Sequence, residues 1–163
     1  MDQDRRGTGS TIAAATLLAG TLDILAAIGL TLFYAKRTVP DMLRSVASGP
    51  FLAAPGWGSA GALLGLAVHY ALMAVMVVVF VWAVRRRPSL NARPIAAGTV
   101  YGLITYVVMN LIIVPLRFGV WPPKPAAIAT QLFCHVALVG IPVALITARR
   151  LRSVFLDAGT SPA

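Results

Sequence analysis

The sequence predicts an all-α polytopic membrane protein, a four-transmembrane-helix bundle with a short amphipathic interfacial helix in the first external loop. Four apolar stretches occupy residues 11–34, 60–84, 95–116 and 126–148, and each is close to the ~20 helical residues that cross a hydrocarbon core. Hydrophobic residues make up 58% of the chain and charged residues 12%, too few charges to cover a surface in water. Residues 1–163 are therefore treated as a single membrane domain.

The interfacial helix is predicted at about residues 39–48, between the first two spans. Thr38 is a residue type that caps helices, Pro40 suits a first helical turn, and the Gly49-Pro50 pair ends one. An apolar stripe at i, i+3, i+4 and i+7 indicates that one face lies against the membrane or the bundle. Its residues are Val39, Met42, Leu43 and Val46.

The basic residues predict the orientation of the spans. Nine Lys and Arg residues fall in the N-terminus, the second loop and the tail, and five fall in the other two loops. Cytoplasmic segments carry more Lys and Arg, so both termini are expected in the cytoplasm. Trp57 and Trp121 then lie at the outer interface and Trp82 at the cytoplasmic one.

Composition also excludes several classes of function. The net charge is +9, but the basic residues sit at the edges of apolar segments, so we expect no nucleic-acid partner. All five acidic residues are Asp, which removes any site that needs a glutamate. A lone Cys134 cannot form an internal disulfide or a CxxC redox pair.

Polar side chains inside the spans are the candidate functional residues, because ionisable groups are costly in lipid. Asp23 is expected near the midplane, and the others at similar depth or in the outer half of the bilayer, judged from the ~1.5 Å rise per helical residue. If they face inward, they form one cluster across four helices. The predicted intramembrane polar cluster consists of Asp23, His69, Tyr106, Asn110, Gln131 and His135.

Three interpretations of this cluster stay open. The groups can simply satisfy one another as interhelical hydrogen bonds. Asp23 and the histidines can instead belong to a proton- or ion-linked path, because burial in lipid favours the neutral form of each. Finally, His69 and His135 can be the two axial ligands of a b-type haem, since they occupy comparable depth on the second and fourth spans.

Small residues predict where helices approach closely. Gly61 and Gly65 form one GxxxG pair and Gly98 and Gly102 another, and both are expected to serve packing within the chain. Pro142 predicts a kink in the fourth span.

Several short motifs resemble those of the YagU-like bacterial inner-membrane proteins. They are Val39-Pro40-Asp41-Met42 with Gly49-Pro50, the His69 span, Pro115-Leu116, Trp121-Pro122-Pro123 and Gln131-xxx-His135. The resemblance covers roughly residues 19–150. It implies a polytopic protein of the bacterial cytoplasmic membrane and carries over no catalytic residues.

These observations together predict a non-enzymatic inner-membrane protein with no catalytic residues and no metal site. Its expected role is structural or accessory, or that of a small proton- or solute-linked transporter; the alternative is a haem b electron carrier. The expected partner is the lipid bilayer, with a homo-oligomer or a larger membrane complex left open.

Overall fold

The computed structural model describes residues 2–35, 37–121 and 124–159, with side chains for residues 7–35, 37–121 and 124–151. Lys36, Pro122 and Pro123, which the sequence arguments used, lie outside the described residues. The predicted fold class is confirmed: four helices are long and apolar enough to cross a membrane, and a short helix lies between the first two. In chain order they are α1 (Gly7–Ala35), α2 (Val39–Ala47), α3 (Gly58–Arg86), α4 (Pro94–Phe118) and α5 (Pro125–Leu151).

The spans alternate in direction, so α2 and the chain between α4 and α5 share one end of the bundle. This end is called the α2 end below. The other end carries Arg85, Arg86, Arg93, Arg149 and Arg150 and is called the arginine end. Short 3₁₀ turns at Ala54–Gly56 and Pro88–Asn91 lead into α3 and out of it. The protein is thus a multi-pass membrane bundle.

Helix α2 begins with a side-chain cap, as the sequence predicted. Thr38 is extended, and its hydroxyl oxygen accepts a hydrogen bond from the main-chain nitrogen of Asp41 at 3.3 Å. The same hydroxyl donates to the Asp41 carboxylate at 2.5 Å, and Arg44 pairs with that carboxylate one turn later. The Thr38 hydrogen bond and the Arg44 guanidinium hold the pKa of Asp41 below its usual range.

Glycines set the closest contacts between the helices. A Cβ on Gly65 would run into the main-chain carbonyl of Leu43, so α2 rests directly on the backbone of α3. On the other side of the bundle, a Cβ on Gly98 would lie 2.7 Å from the carbonyl oxygen of Gly140. Gly102 has the same role beside His135, whose carbonyl oxygen would lie 2.5 Å from such a Cβ. A Cβ on Gly61 would run into the carbonyl of Ala54, in the turn that leads into α3. All four glycines of the GxxxG pairs therefore pack within the chain, and Gly65 seats α2 rather than another span.

Three stretches of the spans are π-helical, at Thr31–Ala35, Val107–Ile113 and Cys134–Gly140. The last two come directly before Pro115 and Pro142. A proline ring in a helix clashes with the carbonyl four residues earlier, and a wider turn relieves that clash. The prolines of α4 and α5 thus explain the widened turns, and these turns contain Asn110 and His135.

The arginine end of the bundle is packed with apolar side chains. Helix α1 packs against α3 and α5, and α5 packs against α4. Tyr101 of α4 reaches across to α3, where its hydroxyl donates to the carbonyl of Met76 at 2.6 Å and its ring lies 4.9 Å from that of Phe80. This dry core consists of Ala15, Ala19, Met73, Val77, Phe80, Val81, Val84, Val139, Val143, Ala144 and Leu151.

Candidate functional site

The polar side chains of the spans meet at a cavity between α1, α3, α4 and α5, nearer the α2 end. This cavity, called the polar chamber below, has a volume of about 250 Å³. Five of the six residues singled out from the sequence line it: Asp23, His69, Asn110, Gln131 and His135. Its apolar wall comprises Leu72, Met73, Met76, Met109, Val114 and Val139.

His69 is the most buried polar group of the chamber, with 8% of the residue exposed. Its Nε2 lies 2.9 Å from the carbonyl oxygen of Gly20 on α1. Because a carbonyl oxygen only accepts, Nε2 carries a hydrogen and donates it to Gly20. The ring is thereby held in one orientation between α1 and α3.

Gly20 lacks the side chain that would prevent this contact. A Cβ there would lie 2.8 Å from Cε1 of Tyr70, the residue next to His69. The Tyr70 hydroxyl lies 2.8 Å from that of Thr21, so a second interhelical hydrogen bond joins α1 and α3. The Gly20-Thr21 pair thus binds the His69-Tyr70 pair residue by residue.

Asp23 faces the other ring nitrogen of His69. Its Oδ2 lies 4.0 Å from Nδ1, which is within ion-pair range but longer than a hydrogen bond. With a hydrogen already on Nε2, any further proton on the imidazole must sit on Nδ1, toward the carboxylate. The Nδ1 side of the His69 ring is therefore the side that faces the Asp23 carboxylate.

His135 has the opposite hydrogen-bond arrangement. Its Nδ1 lies 3.0 Å from the carbonyl oxygen of Gln131 on its own helix, so Nδ1 carries the hydrogen. Its Nε2 is left with a lone pair and lies 3.5 Å from the Asn110 amide nitrogen on α4, a long contact. Tyr106 does not line the chamber; its buried ring packs edge-on against His135 at 6.0 Å between centroids.

Two larger clefts at the α2 end adjoin the polar chamber. One, of about 780 Å³, lies between α2, α3 and α4 and shares Leu72, Met109 and Val114 with the chamber. The other, of about 940 Å³, lies between α1, α2 and α5 and shares Gln131. The chamber therefore adjoins space at the α2 end, whereas the dry core lies toward the arginine end.

No protein-family model, curated protein or solved structure matches this chain. The YagU-like resemblance therefore stays a prediction. The polytopic membrane architecture rests on the length and composition of the helices themselves.

The chamber fits a haem poorly. Its volume of about 250 Å³ is below the ~300–1,000 Å³ of clefts that hold drug-sized ligands. For Nε2 of His69 to ligate iron, the hydrogen bond to Gly20 would have to break, and Nδ1 already faces Asp23. Among the residues with described side chains, no group of three His, Cys, Asp or Glu residues is placed to hold a metal ion.

Sequence reasoning missed the main-chain partners of the histidines. Gly20 lies in an alanine-rich span, and nothing in the sequence around it marked its carbonyl as the acceptor for His69. Nor did the sequence indicate that Met73, Met76 and Met109 line the polar chamber. The π-helical turns that contain Asn110 and His135 did have a signal in the sequence, because each lies just before a proline, Pro115 or Pro142.

Proposed function

We propose that the protein is a proton-linked transporter of a small polar solute. One observation carries this proposal: a solute-sized chamber inside the bundle contains a carboxyl group and an imidazole 4.0 Å apart. Ionisable groups at such a depth mark proton and substrate paths in many membrane proteins. The chamber is large enough for a molecule of a few heavy atoms.

The Asp23–His69 pair supplies the coupling. Adding or removing its proton changes the charge of the chamber by one unit in a low-dielectric environment, where charge interactions are strong. The binding affinity of a solute that hydrogen-bonds to Asn110, Gln131 and Nε2 of His135 would depend on that charge. Binding of the proton and binding of the solute are therefore linked.

In the described conformation, the chamber adjoins clefts at the α2 end, and the dry core lies between the chamber and the arginine end. Transport then requires a second conformation in which α1 and α5 separate at the arginine end.

We further propose that the membrane is the bacterial cytoplasmic membrane and that the α2 end faces outward. The excess of Lys and Arg at the arginine end supports this orientation through the positive-inside rule. The motifs shared with YagU-like proteins support the location. A C-terminal alkaline phosphatase fusion is expected to be inactive, and an active fusion would reverse the orientation.

The test is flux into liposomes that contain the purified protein and a pH-sensitive dye. Lactate, glycine, ammonium and potassium are offered in turn, with and without a pH gradient. At least one of these solutes is expected to enter the liposomes at a rate that depends on the pH gradient. Asp23→Asn should abolish this flux, and Asp41→Asn should preserve it. Asp41 is the matched control because it is a carboxylate on α2, outside the chamber. Equal flux in wild type and Asp23→Asn would refute the proposal.

A structural or accessory role is the second candidate, because the cluster is largely satisfied within the chain. Both ring nitrogens of His69 and of His135 face polar groups of the protein. Such a cluster can tie helices together without moving anything. In that case Asp23→Asn changes the flux of none of the tested solutes, but it changes the free energy of unfolding of the bundle.

A further inference from the structure

We infer that the cleft between α2, α3 and α4 is a binding site for one anionic phospholipid of the surrounding bilayer. The phosphate of the lipid would lie against Arg37 and Arg117, and one acyl chain would run down the apolar part of the cleft. This cleft adjoins the polar chamber, with which it shares Leu72, Met109 and Val114, and a lipid there leaves the cleft between α1, α2 and α5 as the way from the chamber to the α2 end. Binding of the lipid does not depend on the proposed transport function.

The shape and lining of the cleft match an amphipathic ligand. It has a volume of about 780 Å³ and is mostly apolar. The polar part lies beside α2, where Arg37, Ser45 and Arg117 line it. The apolar part descends between the two spans and includes Val68, Leu72, Met109, Ile113 and Val114.

The two arginines have hydrogen-bonding capacity to spare. Arg37 uses Nη2 to donate to the Ser45 hydroxyl at 3.0 Å. Arg117 uses Nε and Nη2 to donate to the carbonyl oxygens of Gly49 and Ser48, at 2.7 and 2.5 Å. Its Nη1 has no hydrogen-bond acceptor among the residues that the structure describes. Guanidinium groups bind phosphate through several N–H donors at once, so this pair is suited to a phosphate.

Charge complementarity favours an anionic lipid over a zwitterionic one. On α2 the single carboxylate is Asp41, and it is already paired with Arg44. No described carboxylate lines the cleft, so its two guanidinium groups carry uncompensated positive charge. Trp57 and Trp121 mark the membrane interface at this end, which puts the arginines at headgroup level.

The experiment is native mass spectrometry of the full chain in detergent, with phosphatidylglycerol or phosphatidylcholine of matched acyl chains added. Wild type is expected to retain one phosphatidylglycerol in preference to phosphatidylcholine. Arg37→Gln is expected to weaken retention of phosphatidylglycerol roughly fivefold, the usual contribution of one basic residue at an anionic lipid surface. Val68→Trp, which fills the apolar part, is expected to reduce retention without changing the charge.

Lys124→Gln is the matched control, because it removes one positive charge at the same end but lines the other cleft. It is expected to retain phosphatidylglycerol as wild type does. Equal retention of the two lipids by wild type, or equal losses in Arg37→Gln and Lys124→Gln, would overturn the site. Displacement of the lipid by excess inorganic phosphate would also overturn it, because the site would then recognise a free anion. If Arg37→Gln does not fold, Val68→Trp decides: unchanged retention would contradict the proposal.

Discussion

Nε2 of His69 donates a hydrogen bond to the main-chain oxygen of Gly20, 2.9 Å away on the neighbouring span. This bond fixes which ring nitrogen carries the hydrogen, and so it determines that Nδ1 is the nitrogen presented to Asp23. A main-chain acceptor on one helix thereby sets the protonation chemistry of a side chain on another. The first prediction concerns this bond.

Replacing His69 should separate the structural effect of the bond from its chemical effect. His69→Leu is expected to lower the free energy of unfolding by about 1 kcal/mol, the usual value of an interhelical hydrogen bond in a membrane. His69→Gln can still donate to Gly20 and should remain close to wild type. Unfolding in detergent followed by circular dichroism measures both variants. A His69→Leu protein as stable as wild type would show that the bond contributes nothing.

The close contact between α2 and α3 at Gly65 can be tested by adding a single methyl group. Gly65→Ala would push that methyl into the Leu43 carbonyl, so α2 must move away, at a cost of about 1–3 kcal/mol. Gly29→Ala is the control, because a Cβ there meets no atom within 4 Å and alanine favours helix by about 1 kcal/mol. Thermal unfolding should move in opposite directions for the two variants. A Gly65→Ala protein as stable as Gly29→Ala would contradict the described packing.

The cap of α2 should depend on pH through Asp41. The pKa of Asp41 is lowered from its ordinary value of 3.8 by the Thr38 hydrogen bond and by Arg44. Its stabilising effect is therefore fully present above pH 3.8 and is lost as the pH falls through the lower pKa of the folded state. Carboxyl titration by NMR should show a rise in that pKa for Thr38→Val and also for Arg44→Gln. An unchanged pKa in either variant would show that the group removed does not stabilise the carboxylate.

Two buried hydroxyls offer a test of the dry core. The side-chain oxygens of Thr16 and Thr147 are buried and have no hydrogen-bond partner among the described residues. Valine has the same shape without the hydroxyl, so Thr16→Val and Thr147→Val should each be neutral or stabilise the fold by up to about 1 kcal/mol. Thr11→Val is the control, because the Thr11 hydroxyl donates to the Gly7 carbonyl at 2.8 Å and that bond would be lost.

A marked loss of stability in Thr16→Val or Thr147→Val would show that these hydroxyls have partners in the membrane-embedded protein. Circular dichroism during denaturant titration distinguishes the two outcomes. Thr11→Val is therefore expected to be the least stable of the three valine variants.

The spans and α2 were predictable because their signals are local. Apolar length places a helix in the membrane to within a few residues, and Thr38 with Pro40 marks where α2 begins. Depth along a helix also follows from residue number alone. For that reason the polar side chains could be assigned to one region of the bilayer before their contacts were seen.

The partners of these residues were not predictable, because they depend on how helices rotate and cross. The Gly61–Gly65 pair signals that some backbone comes close, but the pattern is the same whether that backbone belongs to a span or to α2. The carbonyl of Gly20 has no sequence signature at all. The π-helical turns around Asn110 and His135 have no marker of their own in spans that are apolar on all faces, and only Pro115 and Pro142 hint at them.

Asn110 and its neighbours are expected to line a chamber that water reaches from the α2 end. Chemical labelling of a single cysteine at position 110, in a protein whose native thiol is removed by Cys134→Ser, tests this expectation. A small, charged thiol reagent that does not cross membranes is added to the α2 side, because only a hydrated thiol ionises and reacts. Val77→Cys, at a fully buried position of the dry core, is the control.

We expect rapid labelling of the Asn110→Cys protein from the α2 side, slow labelling from the arginine side, and no labelling of the Val77→Cys protein. Equal protection of both cysteines from the α2 side would rule out a hydrated chamber, because the polar residues would then only join the helices by hydrogen bonds in a dry interior.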